Sequence, residues 1–213
     1  LLQRAMVSLW DVLALGFTVF FFAWTLYHIG LLARGATIPR PGAFNPKVLR
    51  NPVDLLPITI VIPAKQASPV VEDAIRQAIG FRYPRELKQI VVVEDGSTDN
   101  TREIVEKVVV DHQEVEFLKR PVTAGKPSAL NAAMQLIRGD LVLFMDVDSR
   151  ASNDFLLRAA KFFHDHPDVD AAQAILQAIE DNSSLISAID RYENLLAYTG
   201  ALRARDRLGL FVP

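Results

Sequence analysis

Two pairs of acidic residues each follow an apolar segment that is typical of a buried strand. Glu94 and Asp95 follow the segment QIVVV, and Asp146 and Asp148 follow LVLFM. Carboxylates gathered at one place repel each other and are costly to desolvate, so a bound cation or hydrogen-bonding ligand is needed to offset that cost. Mg²⁺ and Mn²⁺ suit such oxygen ligands and complete their coordination with substrate phosphates. The pattern therefore predicts a divalent-metal site, although Asp residues that only cap a following turn or helix are an alternative.

Strands and helices alternate after Pro57, which predicts an α/β fold with a mostly parallel sheet and helices on both faces. Apolar runs predict strands at 58–62, 89–93, 115–118, 140–145 and 169–176. Helical spacing predicts helices at 69–79, 101–110, 128–137, 155–163 and, as a long amphipathic helix, 183–207. Ligands bind such sheets outside the carboxyl ends of the strands. Both acidic pairs are therefore expected at one edge of the sheet.

The first part of the chain has a different composition. The segment 12–32 contains no Asp, Glu, Lys or Arg, and a helix of that length spans about 31 Å at roughly 1.5 Å per residue. We interpret residues 1–35 as one membrane-spanning helix and the proline-rich residues 36–56 as a linker. Most nearby basic residues follow the span, which predicts a cell-membrane protein whose later residues are cytoplasmic. A signal peptide and a buried soluble helix are the alternatives.

Composition excludes several classes of protein. The 213 residues include no cysteine, so disulfide frameworks, thiolate metal sites and cysteine nucleophiles are excluded. The 23 basic and 25 acidic residues lack the basic surplus of a nucleic-acid-binding protein. Because half of the residues are hydrophobic, the chain is not disordered. It begins without Met and stops directly after an apolar run, so we expect it to be a piece of a longer protein.

Four motifs occur in an order that resembles family 2 glycosyltransferases. They are IVIPAK at 60–65, VVEDGSTDNT at 92–101, GKPSALN at 125–131 and FMDVDS at 144–149. The likeness covers about 57–176, and the preceding apolar helix favours the membrane-bound branch that includes cellulose, hyaluronan and poly-N-acetylglucosamine synthases. The resemblance implies a GT-A fold, Rossmann-like, with an incomplete catalytic domain over 57–213 that binds a nucleotide-sugar.

The resemblance also implies which residues contact the nucleoside part of the donor. Pro63 and Ala64, at the end of the first strand, would border the base. Glu94 and Asp95 match the acidic pair of the family, and both would contact the donor, with Asp95 near the base and its ribose. Glu94 stands where Asp is commoner in the family. Gln66–Ala67 stands where the family often has Asn-Glu, so this corner departs from the family pattern.

At the other end of the donor, the resemblance places Lys126 near the diphosphate. Asp146 would contact the ribose or donor sugar, and Asp148, together with Asp146, would hold Mg²⁺ or Mn²⁺. An inverting transfer also needs a general base. In the family this base is a carboxylate of a later motif, which we expect beyond Pro213, so no catalytic base is assigned within the chain.

These features predict a membrane-anchored, metal-dependent, inverting glycosyltransferase. Its donor would be a nucleotide-sugar, and we expect a UDP-sugar. Its acceptor would be a polysaccharide or a lipid-linked molecule. No nucleic-acid partner is expected. Alternatives are a polyprenyl-phosphate sugar transferase and a catalytically inactive membrane module that binds nucleotide-sugars. A nucleotidyltransferase of similar sheet topology is disfavoured, because the chain lacks the glycine-rich signature after the first strand.

Overall fold

The computed structural model describes residues 8–37, 55–112, 114–174 and 184–209. The chain divides into two compact units, one made of Leu1–Gly42 with Ala171–Pro213 and the other of Ala43–Asp170. Most of the predicted linker at 36–56 lies outside the described residues.

The second unit contains a four-stranded parallel sheet. Its strands are β1 (Ile58–Ala64), β2 (Lys88–Asp95), β3 (Val115–Arg120) and β4 (Leu141–Phe144), in the spatial order β3-β2-β1-β4. The two central strands, β1 and β2, are buried along nearly their whole length. Continuous apolar runs are typical of strands that are covered on both faces, which explains the unbroken β-branched segments of the sequence.

Helices cover both faces of this sheet, as predicted. They are α2 (Val71–Gly80), α3 (Thr101–Asp111), α4 (Lys126–Ala133) and α5 (Phe155–Asp165). Ile60, Ile62 and Val92 pack against α2, α3 and α5 in one core. Alternate strand residues, Val61 and Val91 among them, pack against α4 in a second core on the opposite face. The α/β architecture with a parallel sheet is therefore confirmed.

A buried lysine ties the sheet to the end of α2. Lys88 begins β2 and is only 6% exposed, and its Nζ donates hydrogen bonds to the carbonyl oxygens of Ala78 (3.1 Å), Ile79 (2.5 Å) and Phe81 (3.3 Å). The last carbonyls of a helix have no partner within the helix, so the ammonium group satisfies them. Burial lowers the pKa of Lys88, against an opposing effect of the nearby Glu114 carboxylate.

Lys88→Met is expected to reduce the free energy of unfolding by about 1–3 kcal/mol, because the helix-end carbonyls lose a charged donor. Urea unfolding of the protein in detergent, followed by circular dichroism, measures the change. Lys107→Met is the matched control, since Lys107 is an exposed lysine on α3. Equal stabilities of the two variants would contradict a capping role for Lys88.

The first unit contains α1 (Leu9–Ala36), which is long and apolar enough to cross a membrane. Ser8 and Asp11 cap its first turn in a reciprocal capping box. The other part of the unit is a continuous helix made of α6 (Leu185–Leu196), a π-helical segment (Ala197–Leu202) and α7 (Arg203–Arg207). The two helices touch at Gly35 and Gly200, where a Cβ on Gly35 would collide with the Gly200 backbone.

One predicted element differs from the structure. A strand is predicted over 169–176, but residues 169–174 have a bend at Asp170 and otherwise no regular secondary structure or sheet pairing, and 175–176 lie outside the described residues. The apolar residues there are interrupted by Asp170 and Gln173. A short apolar run alone does not distinguish a strand from other buried segments, so this prediction is wrong for the described part.

Candidate functional site

A cleft of about 280 Å³ lies at the carboxyl ends of β1, β2 and β4. All predicted site residues except Glu94 line it: Pro63, Ala64, Asp95, Lys126, Asp146 and Asp148. Lys65, Ala129 and Val147 complete the described lining. Residues separated by more than eighty positions in the chain therefore meet at one place, because parallel strands end at the same edge of the sheet.

Asp95 is the most strongly held side chain of the cleft. Its carboxylate is 4% exposed and accepts hydrogen bonds from Arg120 Nη1 (2.7 Å), Thr123 Oγ1 (2.8 Å), and the backbone N–H groups of Gly125 (3.1 Å) and Ala124 (3.4 Å). Burial acts to raise its pKa, but these hydrogen bonds and the Arg120 charge outweigh burial and lower the pKa overall. Asp95 is therefore a fixed anion that positions the loop before α4.

Glu94 lies on the opposite face of the sheet. Successive strand residues point to opposite faces, so Asp95 faces α4 while Glu94 faces α3. The Glu94 carboxylate is fully buried, accepts two hydrogen bonds from Arg102 (Nε 2.9 Å, Nη2 2.6 Å) and a third from the Ser97 N–H. The donor contact expected of Glu94 is corrected accordingly: the structure does not bring this residue to the cleft, and its contacts tie β2 to α3.

Lys126, Asp146 and Asp148 form, together with Lys65, the exposed charged part of the cleft. Lys126 begins α4, and its Nζ lies 2.5 Å from Oδ1 of Asp146, with both side chains more than half exposed. Asp148 is exposed, two residues further along the same loop. The Met145 N–H donates to the Val61 carbonyl (3.0 Å), which extends the β1–β4 pairing to the residue before Asp146. Sheet pairing thus fixes where these two carboxylates leave β4.

The loops that follow β1 and β2 are joined by polar contacts. The Gln66 side chain accepts from the Thr98 N–H (2.7 Å) and donates to Thr98 Oγ1 (3.0 Å). Asp99 accepts from the N–H groups of Ser68 and Thr101 and, at 2.5 Å, from Thr101 Oγ1. Gly96 has φ +65°, and a Cβ there would lie 2.8 Å from Thr123 N. A glycine is thus required where the loop after β2 passes the backbone of Thr123.

The hydrogen bond from Thr101 lowers the pKa of Asp99 to about 2, with burial opposing and the Ser68 N–H assisting. A carboxyl whose pKa is lower in the folded than in the unfolded protein stabilises the fold above the unfolded value and loses that effect as pH falls. We expect the stability difference between wild type and Asp99→Asn to be full above pH 3.8 and to vanish as pH falls through about 2. Unfolding at a series of pH values measures it, and a pH-independent difference would contradict the assignment.

Three residues of the site were not predicted. Arg120 lies beside Asp95 in the β2–β3 register and also donates to Ser128 Oγ (2.8 Å). Thr123 accepts from Lys65 Nζ (2.8 Å) and donates to Asp95. Lys65 lies within the IVIPAK motif and Arg120 ends a weak strand. The spacing of residues in the sequence does not identify either of them as part of the site. Their roles follow from strand register, which the sequence does not display.

The described residues contain no group of three or more His, Cys, Asp or Glu side chains that could hold a metal ion. The cleft does offer two exposed carboxylates, Asp146 and Asp148. Mg²⁺ and Mn²⁺ are commonly held by one or two carboxylates and otherwise by substrate phosphates and water. The donor set therefore fits a divalent ion that binds together with a phosphate-bearing ligand.

The cleft lies at the carboxyl edge of a parallel α/β sheet, which is where sheets of this class bind their ligands. Residues 59–211 match the model of Glycosyl transferase family 2, and the chain belongs to that family. The structure is similar to the mannosyltransferase PcManGT from Pyrobaculum calidifontis, solved in complex with GDP-Man and Mn²⁺, with a TM-score of 0.56 and 21% identity over 90% of this chain and 58% of that one. At that identity the likeness shows the fold, which is GT-A.

Curated relatives match a smaller part of their own length. Beta-monoglucosyldiacylglycerol synthase from Nostoc sp. is 25% identical over 63% of this chain and 29% of its own. Poly-beta-1,6-N-acetyl-D-glucosamine synthase from Staphylococcus aureus is 27% identical over 72% of this chain and 39% of its own. The chain thus spans about a third of these relatives.

Proposed function

We propose that the chain is the donor-binding part of a membrane-anchored, metal-dependent, inverting glycosyltransferase, which moves a sugar from a nucleotide-sugar to a polysaccharide or lipid-linked acceptor. The observation that carries the proposal is the convergence of Asp95, Lys126, Asp146 and Asp148 on one cleft of a family 2 domain. No one of these residues is specific alone, but their meeting at the carboxyl edge matches the position where such sheets bind ligands.

The two ends of the cleft differ in character, which supports a directional donor site. Pro63 and Ala64 provide an apolar wall beside the buried Asp95, suited to a base and its ribose. Lys126 stands at the first position of α4, and the N-terminus of a helix favours anions. We assign the nucleoside to the first end and the diphosphate to the second.

Departure of a nucleoside diphosphate builds negative charge on its leaving oxygen. Lys126 is placed to stabilise that charge by transferring its hydrogen bond from Asp146 to the diphosphate. Asp146 and Asp148 would hold the divalent ion, Mg²⁺ or Mn²⁺, which acts as a Lewis acid on the phosphates when bound. The exchange of partners by Lys126 would also free an Asp146 oxygen for the ion.

Asp95 is unsuited to be the general base that deprotonates the acceptor. Four hydrogen bonds occupy its oxygens, and its pKa is lowered rather than raised toward the working pH. The expectation that the base is a carboxylate beyond Pro213 stays a prediction.

The membrane part of the proposal rests on α1. Its apolar side chains are exposed along the helix, Trp10 to 78% and Phe22 to 66%, and a surface of this kind is stable in lipid rather than in water. Basic residues follow the span, so we infer that the catalytic unit lies on the cytoplasmic side of the cell membrane.

The test uses the full-length protein in membranes, supplied with UDP- and GDP-sugars in the presence of Mn²⁺, Mg²⁺ or EDTA. Metal-dependent release of the nucleoside diphosphate, coupled to a glycosylated product, is expected. Nucleotide-sugar binding without any transfer would instead identify the inactive-module alternative, and absence of both binding and transfer would refute the proposal.

Of the two acceptor classes, the likeness to beta-monoglucosyldiacylglycerol synthase favours a lipid. Product extraction separates the two: a labelled product that enters organic solvent indicates a lipid or polyprenyl-phosphate acceptor, whereas label retained in insoluble polymer indicates a polysaccharide synthase.

A further inference from the structure

A second pocket, of about 530 Å³, lies within the first unit, between the last turns of α1 and the helix made of α6, the π segment and α7. Its wall is mainly aliphatic and includes Leu31, Leu196 and Leu202. The polar residues of the wall are His28, Gln173, Glu193, Asn194 and Arg205. None of these residues lines the donor cleft, so the pocket is a separate feature.

Arg205 has an unsatisfied group at this pocket. Its Nε is buried and has no hydrogen-bond partner among the described residues. A buried donor without a partner is rare in folded proteins and destabilising. A guanidinium offers a planar set of donors whose geometry matches the oxygens of a phosphate. The missing partner is thus most simply an anionic oxygen of a bound group.

His28 is fixed in orientation at the same pocket. Its Nδ1 lies 2.8 Å from the Trp24 carbonyl oxygen, and because a carbonyl only accepts, Nδ1 carries the hydrogen. In the neutral ring Nε2 is then an acceptor, suited to a hydroxyl. Glu193 is exposed and adds a negative charge to the wall. Arg205 is the arginine or lysine of the described wall, and we expect a phosphate to bind beside it.

The surroundings of the pocket are apolar and exposed. The outer side chains of α1 are exposed over most of its length, and α6 exposes Leu185, Ile186, Ile189 and Leu196. These α6 positions recur at helical spacing on one side, as in helices that lie at a membrane surface. A pocket that combines an aliphatic wall with an arginine whose buried Nε has no partner among the described residues suits a ligand with both an acyl chain and a phosphate.

We propose that this pocket binds a membrane phospholipid, with the lipid phosphate on Arg205 and an acyl chain along Leu31, Leu196 and Leu202. The proposal rests on the membrane anchoring proposed above but not on sugar transfer. A bound phospholipid would satisfy the buried Nε and hold α1 against the π segment near the Gly35–Gly200 contact.

The test measures lipid binding to the full-length protein, delipidated in detergent, by native mass spectrometry. The probes are dioleoylphosphatidylglycerol, dioleoylglycerol with the same acyl chains but no phosphate, and inorganic phosphate. One saturable phosphatidylglycerol adduct is expected. Arg205→Gln should weaken it about tenfold or more, the loss expected for a charge-assisted hydrogen bond. Dioleoylglycerol and inorganic phosphate should each bind much more weakly, because the first lacks the phosphate and the second lacks the acyl chains.

Arg207→Gln is the matched control, since Arg207 is an exposed arginine of the same short helix and does not line the pocket; it should leave the adduct unchanged. Ala197→Trp fills the pocket from an exposed position and keeps Arg205, so it should also remove the adduct without unfolding the helix. Equal binding by Arg205→Gln and wild type, equal binding of dioleoylglycerol, or displacement by inorganic phosphate would each overturn the proposal. Because the readout is binding, loss of sugar transfer alone would not affect it.

Discussion

Asp148→Ala is expected to reduce sugar transfer by the full-length protein about a thousandfold, while the fold stays intact. A bound divalent ion supplies several kcal/mol of charge stabilisation to the leaving diphosphate, and roughly 1.4 kcal/mol corresponds to a factor of ten in rate. Asp148 is exposed and makes no hydrogen bond or ion pair with any described residue, so its removal should not change the free energy of unfolding. Initial rates at saturating Mn²⁺ and matched unfolding curves measure the two effects.

Asp168→Ala is the control for this prediction, because Asp168 is an exposed aspartate of the same unit that does not line the cleft. It should transfer sugar at the wild-type rate. Calorimetric titration with a nucleoside diphosphate adds a second readout, in which Mn²⁺ should strengthen binding to wild type and to Asp168→Ala but not to Asp148→Ala. Wild-type turnover by Asp148→Ala would exclude it as a metal ligand.

The gathering of Asp95, Asp146 and Asp148 could be predicted from the sequence because it depends only on topology. Each follows an apolar run long enough for a buried strand, and alternation with helices makes the strands parallel. Parallel strands end at one edge, so their next polar residues must meet there. That conclusion does not depend on the strand register or on side-chain rotamers. In the structure Asp95, Asp146 and Asp148 all line the cleft.

Glu94 shows where a motif was a poorer guide than strand geometry. The family resemblance treats Glu94 and Asp95 as one acidic pair, yet adjacent residues of a strand point to opposite faces. Asp95 therefore reaches the cleft, while Glu94 is buried against Arg102. The alternation was available from the sequence and would have separated the two carboxylates.

The partner of Asp95 was beyond sequence reasoning for a different reason. Arg120 is opposite Asp95 only because Ile90 pairs with Val115 and the register continues for five residues. The β3 strand is short and half-buried, so its ends and its register are set by packing rather than by an apolar run. A change of one residue in register would have moved Arg120 to the other face.

That register makes Arg120→Met the variant with the largest expected effect on stability. Removing one partner of a buried ion pair leaves an uncompensated charge, which costs about 3–5 kcal/mol. Asp95 keeps its hydrogen bonds from Thr123, Ala124 and Gly125, so we expect a loss near the lower end, about 3 kcal/mol. Arg120→Lys should recover only part of it, because one ammonium cannot reproduce the separate Nη1 and Nη2 contacts with Asp95 and Ser128.

A double-mutant cycle isolates the interaction. Asp95→Asn removes the charge that Arg120 compensates, so the double variant Asp95→Asn/Arg120→Met should be more stable than the sum of the single losses predicts. The pH dependence gives an independent signature. Loss of the Arg120 charge raises the pKa of Asp95 relative to wild type, so the acid-induced loss of stability that comes from this carboxyl should be smaller in Arg120→Met and complete at a higher pH. If the losses are additive and the acid transition is unchanged, Arg120 contributes by packing alone. The backbone N–H groups and the Thr123 hydroxyl would then suffice to hold the Asp95 carboxylate beside the donor cleft.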